Sequence, residues 1–440
     1  MLFYGLIKSE LIFVVFNGKT NKMESHLEGS VAPVSLSGNR WVMPGMATAH
    51  SHAFQRVLRG RTQRRATEAD SFWSWRGLMY KLVEQLDPDD MYHIARFAYT
   101  ELAMSGVTAV GEFHYVHHDQ TGRPYAQRTE LAEAVIRAAL DTGIRICLIR
   151  TAYMRGGHHR TLETAQRRFF DPSTDLILQD VDHLKTQFEE NPMVSVAVAA
   201  HSIRAVPITA IQELAACAAT YDMPFHMHVC EQRRELDECI EEYGTTPISL
   251  LADHGILSPG FVGVHATHLT DTEINTLGET RSMVCICRTT ERDLGDGLPP
   301  ISDLIQAGAR LCVGVDSHAC ENAFEEMRAV EFDERSRLES RHAVAEASVL
   351  LDAATRVGYA ACDLEGCRHE DRVTLKVDDP SIVGIDESNG GDAIVFSATP
   401  RAVDEVIVNG KSIVNDGVHE QYKTTCHHYL GVLRKLGLMP

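Results

Sequence analysis

The sequence predicts an α/β fold: a (β/α)8 TIM-type barrel with a small flanking β-sandwich domain built from both chain ends. Three observations carry this. Eight short apolar runs recur along the middle of the chain, at Met46–Phe54, Val107–His114, Ile144–Thr151, Val194–His201, Pro224–Val229, Phe261–Ala266, Met283–Cys287 and Leu311–Asp316. Segments of helical period separate them, among them Pro88–Ser105, Glu130–Thr142, Pro207–Thr220, Thr270–Thr280 and Ile301–Ala307. Strands alternating with helices imply parallel βα units, and eight such units close a barrel. Thirdly, the two ends break the alternation. Met1–Trp41 carries few helix signals, and beyond Val373 come the short runs Asp392–Phe396, Glu405–Val408 and Ser412–Val414, the last two joined by the hairpin signal Asn409-Gly410. The expected organisation is residues 1–43 and 373–440 in the β-domain and 44–372 in the barrel.

Composition narrows the function classes. With 44% hydrophobic and 23% charged residues the chain reads as globular with a large core. A formal charge of −19 excludes a nucleic-acid partner, because phosphate binding needs a basic face. It also means that an acidic substrate must be held by local arginines. Eleven scattered cysteines cannot all pair within the chain and suit a reducing cytoplasm; Cys285 and Cys287 sit in an apolar run and read as core. The apolar stretch Leu11–Phe16 is too short to span a membrane and reads as a strand, so no membrane partner is expected.

The chemistry gathers at strand ends. In His50-Ser51-His52 the two imidazoles lie on one side of a strand, because side chains alternate. At the C-terminal end of a barrel strand that side is the barrel mouth, where active sites sit. The fifth strand reads Phe225-His226-Met227-His228, the sixth ends Val264-His265 and the eighth ends at Asp316. Three or four nitrogen and oxygen ligands converging from separate elements are what a metal site needs.

This pattern resembles the metal-dependent amidohydrolase superfamily, from Met43 to about Val414. For its single-metal deaminases the resemblance implies one divalent ion, zinc by donor type, held by His50, His52, His228 and Asp316. His265 would stand beside the attacking water or the substrate. Two-metal members carry a modified lysine on the fourth strand, and Val194–His201 has none. The resemblance further implies Glu231 as proton shuttle and Asp316 as acceptor of the water's proton. Metal binding lowers a water's pKa to about 7, which would make hydroxide available for attack on an amidine-like carbon.

Longer strings resemble the formimidoylglutamate deiminases of histidine degradation within that superfamily. They are His50-Ser51-His52-Ala53-Phe54-Gln55-Arg56, Ser71-Phe72-Trp73-Ser74-Trp75-Arg76, Gly111-Glu112-Phe113-His114-Tyr115-Val116-His117-His118, His201-Ser202-Ile203-Arg204-Ala205-Val206 and Asp316-Ser317-His318. The implied substrate carries two carboxylates, for which guanidinium is the usual partner. By resemblance Arg76 and Arg204 hold them, with hydrogen bonds from Tyr115, His201 and Gln55; a homodimer is also implied. His114, His117, His118 and His226 read as structural or supporting, His268 as leaving its strand short of the metal, and His318 as a support for Asp316.

The chain also departs from the family pattern after the seventh strand. Arg288 stands where proline is usual, Arg292-Asp293 replaces two small or neutral residues, and Ala200 stands for the proline before His201. These changes are expected to adjust loops near the substrate. A cyclic amidine or nucleobase deaminase on the same scaffold is the first alternative, although a neutral flat substrate does not need two arginines. A non-catalytic binding protein is the second, and a missing ligand or a missing Glu231 would be its signature. The unrelated zinc nucleobase deaminases need a Pro-Cys-x-x-Cys, which does not follow His26 and Glu28.

Overall fold

The computed structural model describes residues 34–63, 72–344 and 346–440; the expected strand at Leu11–Phe16 and residue Ser71 lie outside them. Strands are numbered along the chain: β1 (Ser35–Ser37), β2 (Arg40–Pro44), β3 (Met46–Ser51), β4 (Val107–His114), β5 (Arg145–Ala152), β6 (Val194–Ala200), β7 (Phe225–Val229), β8 (Phe261–His265), β9 (Met283–Ile286), β10 (Arg310–Val313), β11 (Arg372–Lys376), β12 (Val403–Val408), β13 (Lys411–Asn415) and β14 (Val418–His419).

Strands β3 to β10 form one parallel sheet in sequence order. A bridge between Ser51 and Asp316 brings its last edge to its first. There the His52 N–H donates to the Asp316 carbonyl at 2.9 Å and the Asp316 N–H to the His50 carbonyl at 3.0 Å. Every residue of β4 and β5 is buried, because helices cover the outside of the barrel and side chains fill its interior. All eight expected strands are present, with ends displaced by a few residues. The first stops at Ser51 because the Ala53 N–H is captured by the Glu112 carboxylate at 2.7 Å and a 3-10 turn follows over Ala53–Leu58. The last stops at Val313; a Cβ on Gly314 would come within 2.8 Å of the His50 Cβ, so only glycine lets the first and eighth strands approach.

Helix starts follow from local chemistry. Asp87 and Asp90 form a capping box around Pro88 at the head of Pro88–Met104, and Thr270 with Glu273 does the same for Asp271–Glu279.

Strands β1, β2 and β11 to β14 make a six-stranded antiparallel sheet that joins residues from both sides of the barrel in sequence. Asn409 and Gly410 take φ of 50° and 73° and turn β12 into β13 as a type I′ hairpin. The run Asp392–Phe396, expected as a strand, is instead inside the helix Gly390–Ser397. Its adjacent Ile394 and Val395 are both buried, which a helix against the core allows and a strand with one face in solvent does not. Gly390 fits there because a Cβ would meet the Trp41 ring at 2.8 Å. The last helix, Tyr422–Lys435, returns to the barrel and stacks Tyr429 on Phe97 with centroids 4.5 Å apart.

Sheet and barrel meet at a buried charge. The Arg145 guanidinium donates to Asp371 at 2.8 and 3.0 Å, Tyr359 donates to the same carboxylate at 2.6 Å, and so does the Asn409 N–H at 2.9 Å. A buried ion pair is tolerated when its remaining hydrogen-bonding capacity is met, as here. All eleven cysteines are free. Among the described residues no helix is long and apolar enough to cross a membrane.

The helix Ala323–Leu338 is tied to the loop after β9 through Glu326, whose carboxylate accepts from the Thr289 N–H at 3.2 Å and from its hydroxyl. Burial pushes Glu326 up to about 8, above the roughly 4.3 of an exposed glutamate. The folded state therefore binds the extra proton, and stability falls as pH rises between those two values. Glu326→Gln should raise Tm more at pH 9 than at pH 5 in thermal melts; equal shifts at both would show that Glu326 is ionised throughout.

Candidate active site

The ends of β3, β7, β8 and the segment after β10 converge at the barrel mouth. His50 Nε2 lies 3.2 Å from His52 Nε2 and 3.0 Å from His228 Nε2. Asp316 Oδ1 is 3.5 Å from His50 Nε2 and 3.3 Å from His52 Nε2. The outer nitrogens fix the tautomers: His52 Nδ1 donates to the Phe113 carbonyl and His228 Nδ1 to the His201 carbonyl, both at 2.9 Å. Their Nε2 atoms are then bare lone pairs pointing at one another. Burial lowers the pKa of His50 to about 3 and lowers those of His52 and His228 as well, so the rings are neutral. Burial alone would raise Asp316, but the His50 hydrogen bond and the neighbouring imidazoles hold it far below the usual carboxylate range. Converging lone pairs beside a carboxylate repel one another unless a cation sits among them. With Zn–N bonds of about 2.0–2.1 Å, tetrahedral neighbours stand roughly 3.3–3.4 Å apart, close to the spacings here. The donor set therefore fits a divalent cation.

The backbone at these strand ends is unusual. His265 has φ 73°, Asp316 φ 50° and Cys230 φ 54°, the left-handed region that non-glycine residues rarely adopt. Such conformations persist where the surroundings over-determine them, commonly at functional sites.

A cavity of about 540 Å³, open mouth included, lies over the cluster. It is lined by His52, Gln55, Arg76, Tyr115, His201, Arg204, His228, Glu231, His265 and Asp316, so all but one of the site residues expected from the sequence face it. His50 stands behind the wall, fully buried. Burial pushes Glu231 up to about 7, against the pull of His265 and Arg204. Burial would lower His265, but Glu231, the Glu291 hydrogen bond and Asp316 raise it to about 10. A cation in the cluster would pull that value down. Arg204 is held by Glu235 at 3.2 Å and faces Glu231 at 3.9 Å. Arg76 lies over the Trp73 ring at 4.7 Å and meets the exposed Glu163 at 3.4 Å, so it has both a surface contact and a place in the cavity wall. The Gln55 amide donates to the Tyr115 hydroxyl at 3.1 Å.

Several contributors were not expected. Phe72, Trp75, Met79 and Tyr80 of the helix Phe72–Val83 line the cavity, together with Tyr153, Phe169 and Leu294. The aromatic density around Trp73 and Trp75 was the available signal. Glu291 faces His265 Nδ1 at 3.2 Å. Other histidines have structural partners: His117 with the Thr151 carbonyl, His118 with that of Phe170 and His226 with that of Ala361. His318, expected against Asp316, contacts the Ser51 hydroxyl at 2.8 Å, and its backbone is left-handed with φ 56°. Arg288 does not itself line the cavity; it is buried against Glu291 and Asp333, and of its loop Leu294 reaches the wall.

The amidohydrolase family model matches residues 41–413. The chain is 34% identical over 411 residues to a formimidoylglutamate deiminase of Pseudomonas aeruginosa, covering 90% of this chain and 89% of that protein. It is 26% identical over 332 residues to a 5-methylthioadenosine/S-adenosylhomocysteine deaminase of Haloarcula marismortui, covering 75% and 70%. Among solved structures it resembles an amidohydrolase from Brucella melitensis, with TM-score 0.84, 28% identity and coverage of 92% and 95%. A zinc-bound adenosine deaminase from Xanthomonas campestris shares the fold, with TM-score 0.77 at 20% identity and coverage of 91% and 87%. The chain belongs to the amidohydrolase family of hydrolases.

Proposed function

We propose that the protein hydrolytically deaminates N-formimidoyl-L-glutamate to N-formyl-L-glutamate and ammonia, with zinc as the metal. One observation carries the reading: two guanidinium groups, Arg76 and Arg204, line the same cavity as Glu231 and the histidine–aspartate cluster. Each already meets a carboxylate of the chain, Glu235 for Arg204 and Glu163 for Arg76. A guanidinium has five N–H donors, so a substrate with two carboxylates can engage the donors that remain. The relative in Pseudomonas aeruginosa supports the same choice.

A divalent cation held by His50, His52, His228 and Asp316 would acidify a water to a pKa of about 7. The chain's own residues do the rest. Asp316 takes a proton from the attacking water. Glu231, poised near neutrality by burial, delivers a proton to the formimidoyl nitrogen so that ammonia can leave. His265, anchored through Nδ1 by Glu291, turns Nε2 toward Glu231 and Asp316, 3.8 Å from each, and stabilises charge on the attacked centre. Arg204 and Arg76 hold the carboxylates, with Tyr115, His201 and Gln55 supplying hydrogen bonds. A second reading, deamination of a flat ring, is favoured by the aromatic wall of Phe72, Trp75, Tyr80, Tyr153 and Phe169.

Ammonia release from N-formimidoyl-L-glutamate, set against adenosine, guanine and cytosine, separates the two. Release from the acidic substrate alone is expected; release from a ring alone would transfer the reading to the second class. Glu231→Gln should retain the metal and lose roughly 10²–10⁴-fold in kcat, and a near-normal kcat would remove Glu231 from proton transfer. Arg204→Met should raise KM for the acidic substrate more than it lowers kcat; an unchanged KM places the carboxylate elsewhere. Zinc should raise the Tm of chelator-stripped protein, because a ligand of the native state stabilises it by mass action. Asp316→Asn should weaken that response, and an identical zinc response in the variant would contradict the ligand assignment.

A further inference from the structure

Two arginines of the segment after β9 converge on one point. Arg288 occupies the first position of the helix Arg288–Leu294, and Arg292 lies one turn further on. The Arg288 guanidinium, buried at 1% exposure, donates to Glu291 Oε2 at 2.6 Å, to Asp333 at 2.7 and 2.6 Å and to the Gly297 carbonyl at 3.2 Å. Arg292 grips the same Asp333 at 2.6 and 2.9 Å, and Glu325 at 2.9 Å. The other oxygen of Glu291 accepts from the Cys287 N–H at 2.9 Å and faces His265 Nδ1 at 3.2 Å.

We infer that Arg288 is a positioning residue for His265, acting through Glu291, and that Arg292 and Asp333 hold it in place. With both oxygens of Glu291 engaged, its carboxylate plane is locked. A locked acceptor fixes the imidazole rotation that aims Nε2 between Glu231 and Asp316. Hydrogen-bond partners behind metal-binding histidines set ring orientation in this way, and their removal costs roughly 10–100-fold in metal affinity or activity; a loss of about that order is expected for His265. A guanidinium suits the task because its planar fork meets two carboxylates at once, whereas an ammonium is a single point of charge. The network also fastens the β9 loop, which carries Leu294 of the cavity wall, to the helix Ala323–Leu338.

The inference rests on the hydrolase reading above, so its test includes a readout that needs no substrate. Arg288→Met, Arg288→Lys, Glu291→Gln and the Arg288→Met/Glu291→Gln double variant are compared as zinc-loaded proteins. Arg288→Met should lower kcat roughly 10–100-fold with KM within about twofold and zinc content unchanged. Arg288→Lys, which keeps the charge and protects the fold, should fall between wild type and Arg288→Met. The double variant should be no slower than Glu291→Gln alone, because both lie on one path. In crystals of the lysine or methionine variant, Glu291 should have moved off His265 Nδ1. Multiplicative effects in the double variant, a loss confined to KM, or an undisturbed Glu291–His265 pair would each overturn the inference. Should wild type not act on N-formimidoyl-L-glutamate, the substrate reading fails while the crystal comparison still decides the role of Arg288.

Discussion

The hydrogen bonds that close the barrel run through residues of the histidine–aspartate cluster. His50 and His52 supply one carbonyl and one N–H of the closing bridge, and Asp316 supplies both of its partners. Backbone closure therefore sets the distance between the first and eighth strands, and the same distance sets how near the Asp316 carboxylate comes to the two imidazoles. Gly314 permits that approach. A shift of one strand would open the barrel and scatter the donors together, so stability and chemistry share one constraint.

Burial then decides the electrostatics. Burial keeps His50, His52 and His228 neutral and pushes Glu231 up to about 7, while the carboxylates around His265 raise it and Arg204 pairs with Glu231 and Glu235. The strand ends reach this arrangement through left-handed backbone at Cys230, His265 and Asp316. That conformation costs local energy, which the closely packed barrel around it sustains. Arg76 and Arg204 bring two guanidinium groups to the wall of one cavity.

The layers behind the cavity show how one loop serves two ends. Glu291 sits behind His265 and at the head of an ion network that reaches the helix Ala323–Leu338. On the opposite side, Asp371 ties the bottom of the barrel to the six-stranded sheet through Arg145, Tyr359 and Asn409. Neither hub lies in the cavity wall.

Much of this was legible beforehand for a physical reason. Buried parallel strands are continuous apolar runs, helices repeat every 3.6 residues, and alternation puts His50 and His52 on one side, so the barrel order and the ligand-bearing strand ends can be read along the chain. Capping boxes and Asn409-Gly410 are likewise local chemistry. Asp392–Phe396 was misread because a short apolar run has no period, and only its contact with the core selects helix. Contacts between distant residues could not be read at all. His265 with Glu291, Arg204 with Glu235, His318 with Ser51 and Arg288 with Asp333 each join separate elements, and their distances exist only once the barrel has closed. The sequence by itself determined which residue types stand at the strand ends, because period and local propensity are properties of neighbours; tertiary structure alone decided which of them touch, because that depends on how eight strands meet around one axis.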